Sequence, residues 1–375
     1  MPKYLTLDDV DVSGKKVLVR SDLNVPLEGT AVADDFRIRS ALPTLVRLVT
    51  EGADVTVCSH LGRPKGEDPA LSLRPVAEAM DALTDLDVGF ESGGDITVME
   101  NTRFDEGETS NDKATAEKLA NGFDLFVQDA FGSVHRAHAS TVGVAEIIES
   151  VAGPLLDQEL TALGRFLTDT DRPYTVVLGG AKVSDKLAVI ENLLPKVDRM
   201  LIGGGMCFTF LAALGNNVGD SLLEEAMLDK VAGLADDKRI VLPTDVVIAD
   251  SFSEDADYAI TVVSEIPDGW MGLDIGTDTA IDFANLIKDS ASVFWNGPMG
   301  VFEWEAFRNG TELVARALGE CEGFTAVGGG DSAAALAMLG LEDTVSHLST
   351  GGGAGLELLE GKILPGVAVL ERWAG

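Results

Sequence analysis

Residues 16–66 read KVLVRSDLNVPLEGTAVADDFRIRSALPTLVRLVTEGADVTVCSHLGRPKG, and the change of hydrophobic period inside this stretch decides the fold. KVLVR (16–20) and DVTVCS (54–59) are short, continuously apolar and β-branched, as strands covered on both faces are. Between them, RIRSALPTLVRLV (37–49) repeats its apolar residues every three or four positions, the spacing of one helix face. Strand, helix and parallel strand make a βαβ unit. The pattern continues through RPVAEAMDAL (74–83) as a helix and DITVME (95–100) and DLFVQD (124–129) as strands. A second series follows Gly153-Pro154 and a helical LLDQELTALGRFL (155–167), with strands at YTVVL (174–178), RMLIG (199–203), RIVLP (239–243), SVFW (292–295) and FTAVG (324–328). The expectation is an α/β protein of two doubly wound, Rossmann-like parallel-sheet domains, 1–153 and 154–363, with a hinge and a cleft. A length of 375 residues suits two or three domains.

Sixty-two acidic residues against 28 basic ones give a net charge of -34 and a pI near 4.2. Such a surface repels nucleic acid and anionic membranes, so partners of that kind are excluded. The acids are spread along the chain, with no acidic tail, and a surface of this kind needs concentrated counterions. The expectation is adaptation to a salt-rich cytosol. Cys58, Cys207 and Cys321 are far apart and form no CxxC pair, which points to buried small hydrophobes and against a disulfide framework or zinc site. MPKYLTLDDV lacks the pattern of a secretory leader, and eighteen consecutive apolar residues occur nowhere, so a soluble, cytoplasmic protein is expected.

In doubly wound sheets ligands bind beyond the carboxyl ends of strands. In the first half these ends carry Ser21-Asp22-Leu23-Asn24, SHLGRPKG (59–66), ENTRF (100–104) and DAFGSVHRAH (129–138). Arg63, Arg103 and Arg136 thus stand at separate strand ends, Arg37 opens a helix, and His60, His135 and His138 lie beside these arginines. A single arginine there could simply pair with a surface carboxylate, and the histidines could be ordinary core residues. Clustered in a chain so short of bases, the arginines point to an anion site, because a guanidinium matches phosphate bidentately. Asp22 and Asn24 suit either a turn or a substrate hydroxyl. A small phosphorylated acid fits both sets.

In the second half the strand ends carry glycine: GGAKVSDK (179–186), GGGM (203–206), WNGPMGVFE (295–303), GGGDSAAA (328–335) and STGGGAG (349–355). Glycine lets backbone N–H groups approach phosphate or a flat base, although such turns also serve tight strand-to-helix packing. No GxxxxGK[ST] occurs, which excludes a P-loop, whereas GGGDSA fits the weak GxGxxA pattern. Lys182 and Lys186 are spaced to face one way on a helical turn, where they suit phosphate contact. Asp331 suits an N-cap or a Mg²⁺ held on nucleotide phosphates.

The ordered series SDLNVP, DDFRIRS, SHLGRPKG, MENTRF, DAFGSVHRAH, GGAKVSDK, GGGM, WNGPMGVFE, GGGDSAAA and STGGGAGLELLEGKILPGV resembles the phosphoglycerate kinase family from end to end. The resemblance implies a monomeric enzyme of two α/β domains that moves a phosphoryl group between 1,3-bisphosphoglycerate and ADP with Mg²⁺. It implies a 3-phosphoglycerate pocket of Asp22, Asn24, Arg37, His60, Arg63, Arg103 and Arg136. It implies a nucleotide site of Gly180, Ala181, Lys182, Lys186, Gly204, Gly276, Asn296, Pro298, Val301, Glu303, Gly329, Gly330, Asp331 and Ser332, with Glu303 on the ribose and Asp331 as the metal contact. Residues 364–375 are expected to return to the first domain. Two positions depart from the family pattern: Gln128 replaces the usual Asn, which bears on local hydrogen bonding, and Thr277 the usual Pro, which bears on the adenine edge.

In the ATP-consuming direction the nucleophile is a carboxylate already ionised at neutral pH, so catalysis reduces to positioning and charge stabilisation. Arg37, Lys182 and the helix start at Gly330 are the expected catalytic groups, and residues 153–168 the hinge of a closing motion. Two rivals remain. A nicotinamide dehydrogenase would carry its glycine fingerprint in the first βα turn, whereas GxGxxA here lies near the end of the chain. A non-enzymatic binding protein would have no use for Lys182, Asp331 and the glycine set.

Overall fold

The computed structural model describes residues 3–168 and 170–374. The first sheet has the strand order Val88–Phe90, Ile96–Val98, Asp54–Cys58, Lys16–Arg20, Leu125–Gln128 and Ser150–Ala152, all parallel. Its central strand is buried from Val17 to Arg20, which is why the sequence there lacks polar alternation. The helix Phe36–Thr50 buries Ile38, Ala41, Leu42, Leu45 and Leu48, a stripe at three- and four-residue spacing, against that sheet's core. The second sheet runs Ile240–Val241, Arg199–Ile202, Tyr174–Leu178, Ser292–Asn296, Phe324–Gly328 and His347–Leu348, again all parallel. The α/β class and the paired doubly wound sheets are as expected.

Several features depart from the sequence reading, among them a short antiparallel pair, Leu27–Glu28 with Ala31–Val32. Asp245–Ala249, Tyr258–Val262 and Met271–Ile275 form a separate antiparallel sheet in a stretch read without strands. Its middle strand is wholly buried while Tyr258–Val262 is largely exposed, so the two share no common pattern to recognise. Val88–Phe90, Ser150–Ala152 and His347–Leu348 were missed because two or three residues are too few to display a period. RIVLP contributes only Ile240–Val241. Pro243 there has no N–H to donate to a ladder.

The chain divides into two units, residues 1–161 with 362–375, and residues 162–361. The carboxyl-terminal segment is held to the first unit by Gly366 N–H donating to Val134 O at 2.8 Å and by Trp373 Nε1 donating to Ala145 O at 2.8 Å. In both units the chain leaves its first strand toward one edge and later returns to the other side. This places the topological switch points between Lys16–Arg20 and Leu125–Gln128 in one unit, and between Tyr174–Leu178 and Ser292–Asn296 in the other.

Just past the first switch point, Asp129 is buried at the start of the helix Pro154–Gly164 and accepts from Leu155 N–H at 2.9 Å and Leu156 N–H at 3.2 Å. Gly153 is required beside it, because a Cβ there would overlap the Asp129 carboxylate. Burial raises the Asp129 carboxyl to about 7, against the lowering effect of the Thr44 side chain and of those two N–H groups. Between the ordinary aspartate range near 4 and about pH 7, the folded state therefore keeps a proton that the unfolded chain has lost. This group makes stability fall as pH rises through that window. Asp129→Asn removes the ionisation, and the difference in unfolding free energy between variant and wild type should shift in the variant's favour from pH 5 to pH 8, by roughly 1.4 kcal/mol per pH unit up to about pH 7 and levelling off above it. Urea melts at several pH values test this; a difference independent of pH would contradict the assignment.

Candidate active site

The first unit gathers its cations at its switch point. Arg37, in the first turn of Phe36–Thr50, donates from Nη1 to Asp22 Oδ1 at 3.2 Å and to Asn24 O at 2.9 Å. Asn24 Oδ1 in turn accepts from Gly62 N–H at 2.8 Å, joining the loop after the central strand to the loop after Asp54–Cys58. His60 is buried, and its Nδ1 lies 2.9 Å from Arg20 Nη2. Arg63, Arg103 and Arg136, with Lys65 and His138, line a pocket of about 580 Å³. Asp105 and Glu106 also line it, and Asp105 is engaged by Thr115 Oγ1 at 2.8 Å and Lys118 Nζ at 3.1 Å.

The electrostatics of this pocket suit an anion. Arg103 is lowered from its ordinary value by burial first and then by Arg136, Arg20 and Arg63. Its Nε is buried and makes no hydrogen bond. His138 is lowered to about 4 by burial despite Glu108 nearby, and His60 is held well below its usual range by burial and by Arg20, Arg103, Arg37 and His138. These histidines are neutral donors or acceptors at physiological pH. Like charges held this close are relieved by a multiply charged anion.

Two residues that the sequence reading passed over are central. Arg20 and Glu108 are completely buried, and are bridged by Ser140, whose Oγ accepts from Arg20 Nε at 2.9 Å and donates to Glu108 Oε1 at 2.6 Å. An arginine ending an otherwise apolar strand was the available signal. Gln128 meets its local requirements: its Nε2 donates to Thr141 O at 3.0 Å and its Oε1 accepts from Ala130 N–H at 3.3 Å.

The second unit builds a different surface. Gly180 N–H donates to Pro298 O and Gly204 N–H to Met299 O, both at 2.9 Å, so the glycine loops after two strands are sewn to the 296–299 turn. Gly180, Gly204 and Gly329 have φ of 100°, 64° and 97°, the left-handed region that favours glycine. Asn296 Nδ2 donates to Gly328 O at 2.6 Å and its Oδ1 accepts from Lys186 Nζ, while Ser332 Oγ accepts from Gly297 N–H at 2.7 Å. Ala181 and Lys182 are exposed beside this cradle, and Gly330 and Asp331 form the first turn of the helix Gly330–Leu339.

Farther along the same edge, Gly276 caps the helix Thr277–Lys288, where Asp245 carboxylate oxygens accept from Asp278 N–H at 3.1 Å and Thr279 N–H at 2.8 Å. A Cβ on Gly276 would strike that carboxylate. Thr277 is exposed at the helix start. Val301 N–H donates to Leu273 O at 2.9 Å, bringing the exposed Glu303 close behind the same strand. Asp274, also missed, accepts from Ile275 N–H at 2.9 Å and Gly310 N–H at 2.8 Å and is raised by burial to about 8.

Two local expectations are corrected. The helix after Tyr174–Leu178 starts only at Leu187, so Lys182 and Lys186 do not share a helical turn; Lys186 folds in onto Asn296 and Lys182 stays exposed near Glu224. Gly329, in its positive-φ conformation, is the N-cap of the helix Gly330–Leu339, so Asp331 is the second residue of that helix and has no capping role.

The family model for phosphoglycerate kinase matches residues 7–362. The chain is 52% identical over 394 residues to the phosphoglycerate kinase of Salinispora tropica, covering 98% of this chain and 99% of the relative, and 53% identical over 381 residues to that of Rubrobacter xylanophilus, covering 96% and 97%. The phosphoglycerate kinase structure from Coxiella burnetii superposes with a TM-score of 0.91 at 39% identity, covering 99% of this chain and all of that one. The chain belongs to the phosphoglycerate kinase family. It is therefore an enzyme, and the dehydrogenase and simple binding-protein readings fall away. The structure from Pyrococcus horikoshii, at 28% identity and a TM-score of 0.84, has the same fold over 99% of this chain.

Within this kinase, Lys186 offers a direct test of the glycine cradle. Burial lowers its ammonium to about 8, against the opposing pull of Asp185 and Asp331. Above that pH the charge is lost. Pyrophosphate binding, measured by calorimetry at constant ionic strength, should weaken by up to roughly tenfold between pH 7 and pH 9, and Lys186→Arg should flatten the profile because a guanidinium stays charged. A wild-type affinity that does not change across this range would remove Lys186 from the anion site.

Proposed function

We propose that the chain transfers a phosphoryl group between 1,3-bisphosphoglycerate and ADP, yielding 3-phosphoglycerate and ATP, the glycolytic reaction of its family. The observation that carries this reading is that two unlike clusters lie at the two switch points: an arginine pocket suited to a small acid phosphate, and a glycine cradle with one half-buried lysine suited to a nucleotide. In this reading the first domain, residues 1–153 with 364–375, takes 3-phosphoglycerate through Asp22, Asn24, Arg37, His60, Arg63, Arg103 and Arg136. The second, 154–363, takes the nucleotide through the glycine loops, Lys186, Asn296, Asp331 and Ser332, with Gly276, Val301 and Glu303 on its base and ribose.

The substrate carboxylate needs no deprotonation, so the protein's contribution is alignment and charge. Arg37 and Lys182 act on the equatorial oxygens of the moving phosphoryl group, while the N–H groups at the start of Gly330–Leu339 receive the nucleotide phosphates. Asp331, exposed in that first turn, fits a Mg²⁺ held chiefly by phosphate oxygens and water, which takes only one or two carboxylates. Bound there, Mg²⁺ would supply neutralisation of phosphate charge. Transfer away from water requires the two pockets to meet, with residues 153–168 as the hinge. We further propose a cytoplasmic monomer whose acidic surface suits a salt-rich medium.

A coupled assay for phosphate exchange between ATP and 3-phosphoglycerate tests the reaction. The pockets are separated by substitution. Arg103→Ala should chiefly raise KM for 3-phosphoglycerate, since its contact with the non-reacting phosphate is nearly equal in ground and transition states. Lys182→Ala should lower kcat by about 10²-fold, as for losing an oxyanion-type donor. Equal kcat losses in both, or an effect of Lys182→Ala on the KM for ATP alone, would leave Lys182 a nucleotide anchor.

Salt dependence follows from the charge of -34. The melting temperature should rise between about 0.1 M and 3 M KCl as the screening length falls from about 10 Å toward 3 Å and below. A constant melting temperature would show that the acidic surface carries no such adaptation.

A further inference from the structure

Arg20 ends the central strand of the first sheet and is 0% exposed, yet it belongs to none of the groups assigned to the substrate. Its guanidinium is fully committed: Nε donates to Ser140 Oγ at 2.9 Å, Nη1 to Ser21 O and to Ser59 Oγ at 3.4 Å, and Nη2 to Ser133 Oγ at 3.4 Å. Nη2 also lies 2.9 Å from His60 Nδ1. A guanidinium has donors and no acceptor. The lone pair in that contact must therefore be on the ring, which excludes both the imidazolium and the Nδ1–H tautomer.

We infer that Arg20 is a positioning residue that locks His60 as the neutral Nε2–H tautomer, so that the ring presents a single hydrogen-bond donor to the substrate anion. The inference rests on the reading of His60 as part of the 3-phosphoglycerate pocket. A neutral donor binds an anion without adding another charge to a site already crowded with cations, and its direction is set by the buried bond behind it. The charge of Arg20 is balanced through Ser140 by Glu108, which also accepts from Ser140 N–H at 3.0 Å and lies 3.8 Å from His138 Nδ1. His60 and the pocket-lining His138 thus lie at the two ends of one buried network. Arg20, Arg37, Arg103 and His138 all act to keep the His60 ring uncharged, in addition to its burial.

The test is long-range ¹H–¹⁵N correlation on the full chain labelled at its four histidines, with His60→Gln for assignment. His60 should show an unprotonated Nδ1 and a protonated Nε2 with no titration between about pH 6 and 8, where a free imidazole would change charge. A protonated Nδ1 at pH 6 to 7 would overturn the inference. The double variant Arg20→Met, Glu108→Gln removes the donor together with its counter-charge; His60 should then lose its single tautomer, while burial, Arg103 and Arg37 still hold the ring neutral. An unchanged tautomer there would also overturn it.

A second pair serves even where that variant does not fold. The amide of His60→Asn can still accept from Arg20 but places no donor at the Nε2 position, whereas His60→Gln reaches that position with an N–H. KM for 3-phosphoglycerate should rise roughly tenfold or more in His60→Asn and only a few-fold in His60→Gln, the scale of one hydrogen bond to a charged group. The reverse order counts against the inference. A wild-type ring in the expected tautomer whose Nε2 signal ignores added 3-phosphoglycerate would uphold the lock and refute the assigned pocket.

Discussion

A parallel sheet whose crossovers leave its first strand in opposite directions must open a gap at that strand's carboxyl end, because no connection covers it. Both candidate sites of this chain depend on that constraint, met twice. In the first unit the gap lies beside Arg20 and Gln128, and in the second beside Leu178 and Asn296. Loops leaving neighbouring strands converge there from distant parts of the chain, as when Asn24 captures Gly62 and Gly180 captures Pro298. The two gaps are then furnished differently. One receives arginines on side-chain stems; the other receives glycines that leave bare backbone at the strand ends.

The cation pocket is expensive to hold together, and the structure shows what restrains it. Arg103 and His60 both suffer from burial and from neighbouring positive charge, which keeps the histidine neutral and leaves the arginine with an unsatisfied Nε. Glu108, itself wholly buried, supplies the compensating charge through Ser140 and anchors Ala139 and Ser140 of the same loop. Buried charge of this kind adds little net stability but fixes geometry. In a chain with a charge of -34, placing scarce bases at one end of one sheet also makes a local positive field against an acidic background.

Much of this was legible in the sequence, for identifiable reasons. Strands such as Lys16–Arg20, Tyr174–Leu178 and Phe324–Gly328 are apolar and β-branched because both faces are covered, and helix Phe36–Thr50 shows its stripe because only one face is. Arg37, Arg63, Arg103 and the glycine loops could be found because a strand's end is visible in a string of letters. The strands that escaped are those whose existence depends on a partner: Ser150–Ala152 is a strand because Leu125–Gln128 offers it an edge, and Tyr258–Val262 because Asp245–Ala249 does.

The sequence by itself determined the class of fold, the sign of the surface charge and which residues are candidates for an anion site, since each follows from local composition and period. Only the tertiary structure decided which of them meet. Lys182 and Lys186 are equivalent in sequence spacing, yet one stays in solvent while the other loses water against Asn296, a residue 110 positions away. Arg20 looks like the polar end of a strand, yet folding closes Ser59, His60, Ser133 and Ser140 over it. Burial and hydrogen-bond direction are properties of the assembled neighbourhood, and they set which nitrogen carries a proton and which charge is free to meet a substrate.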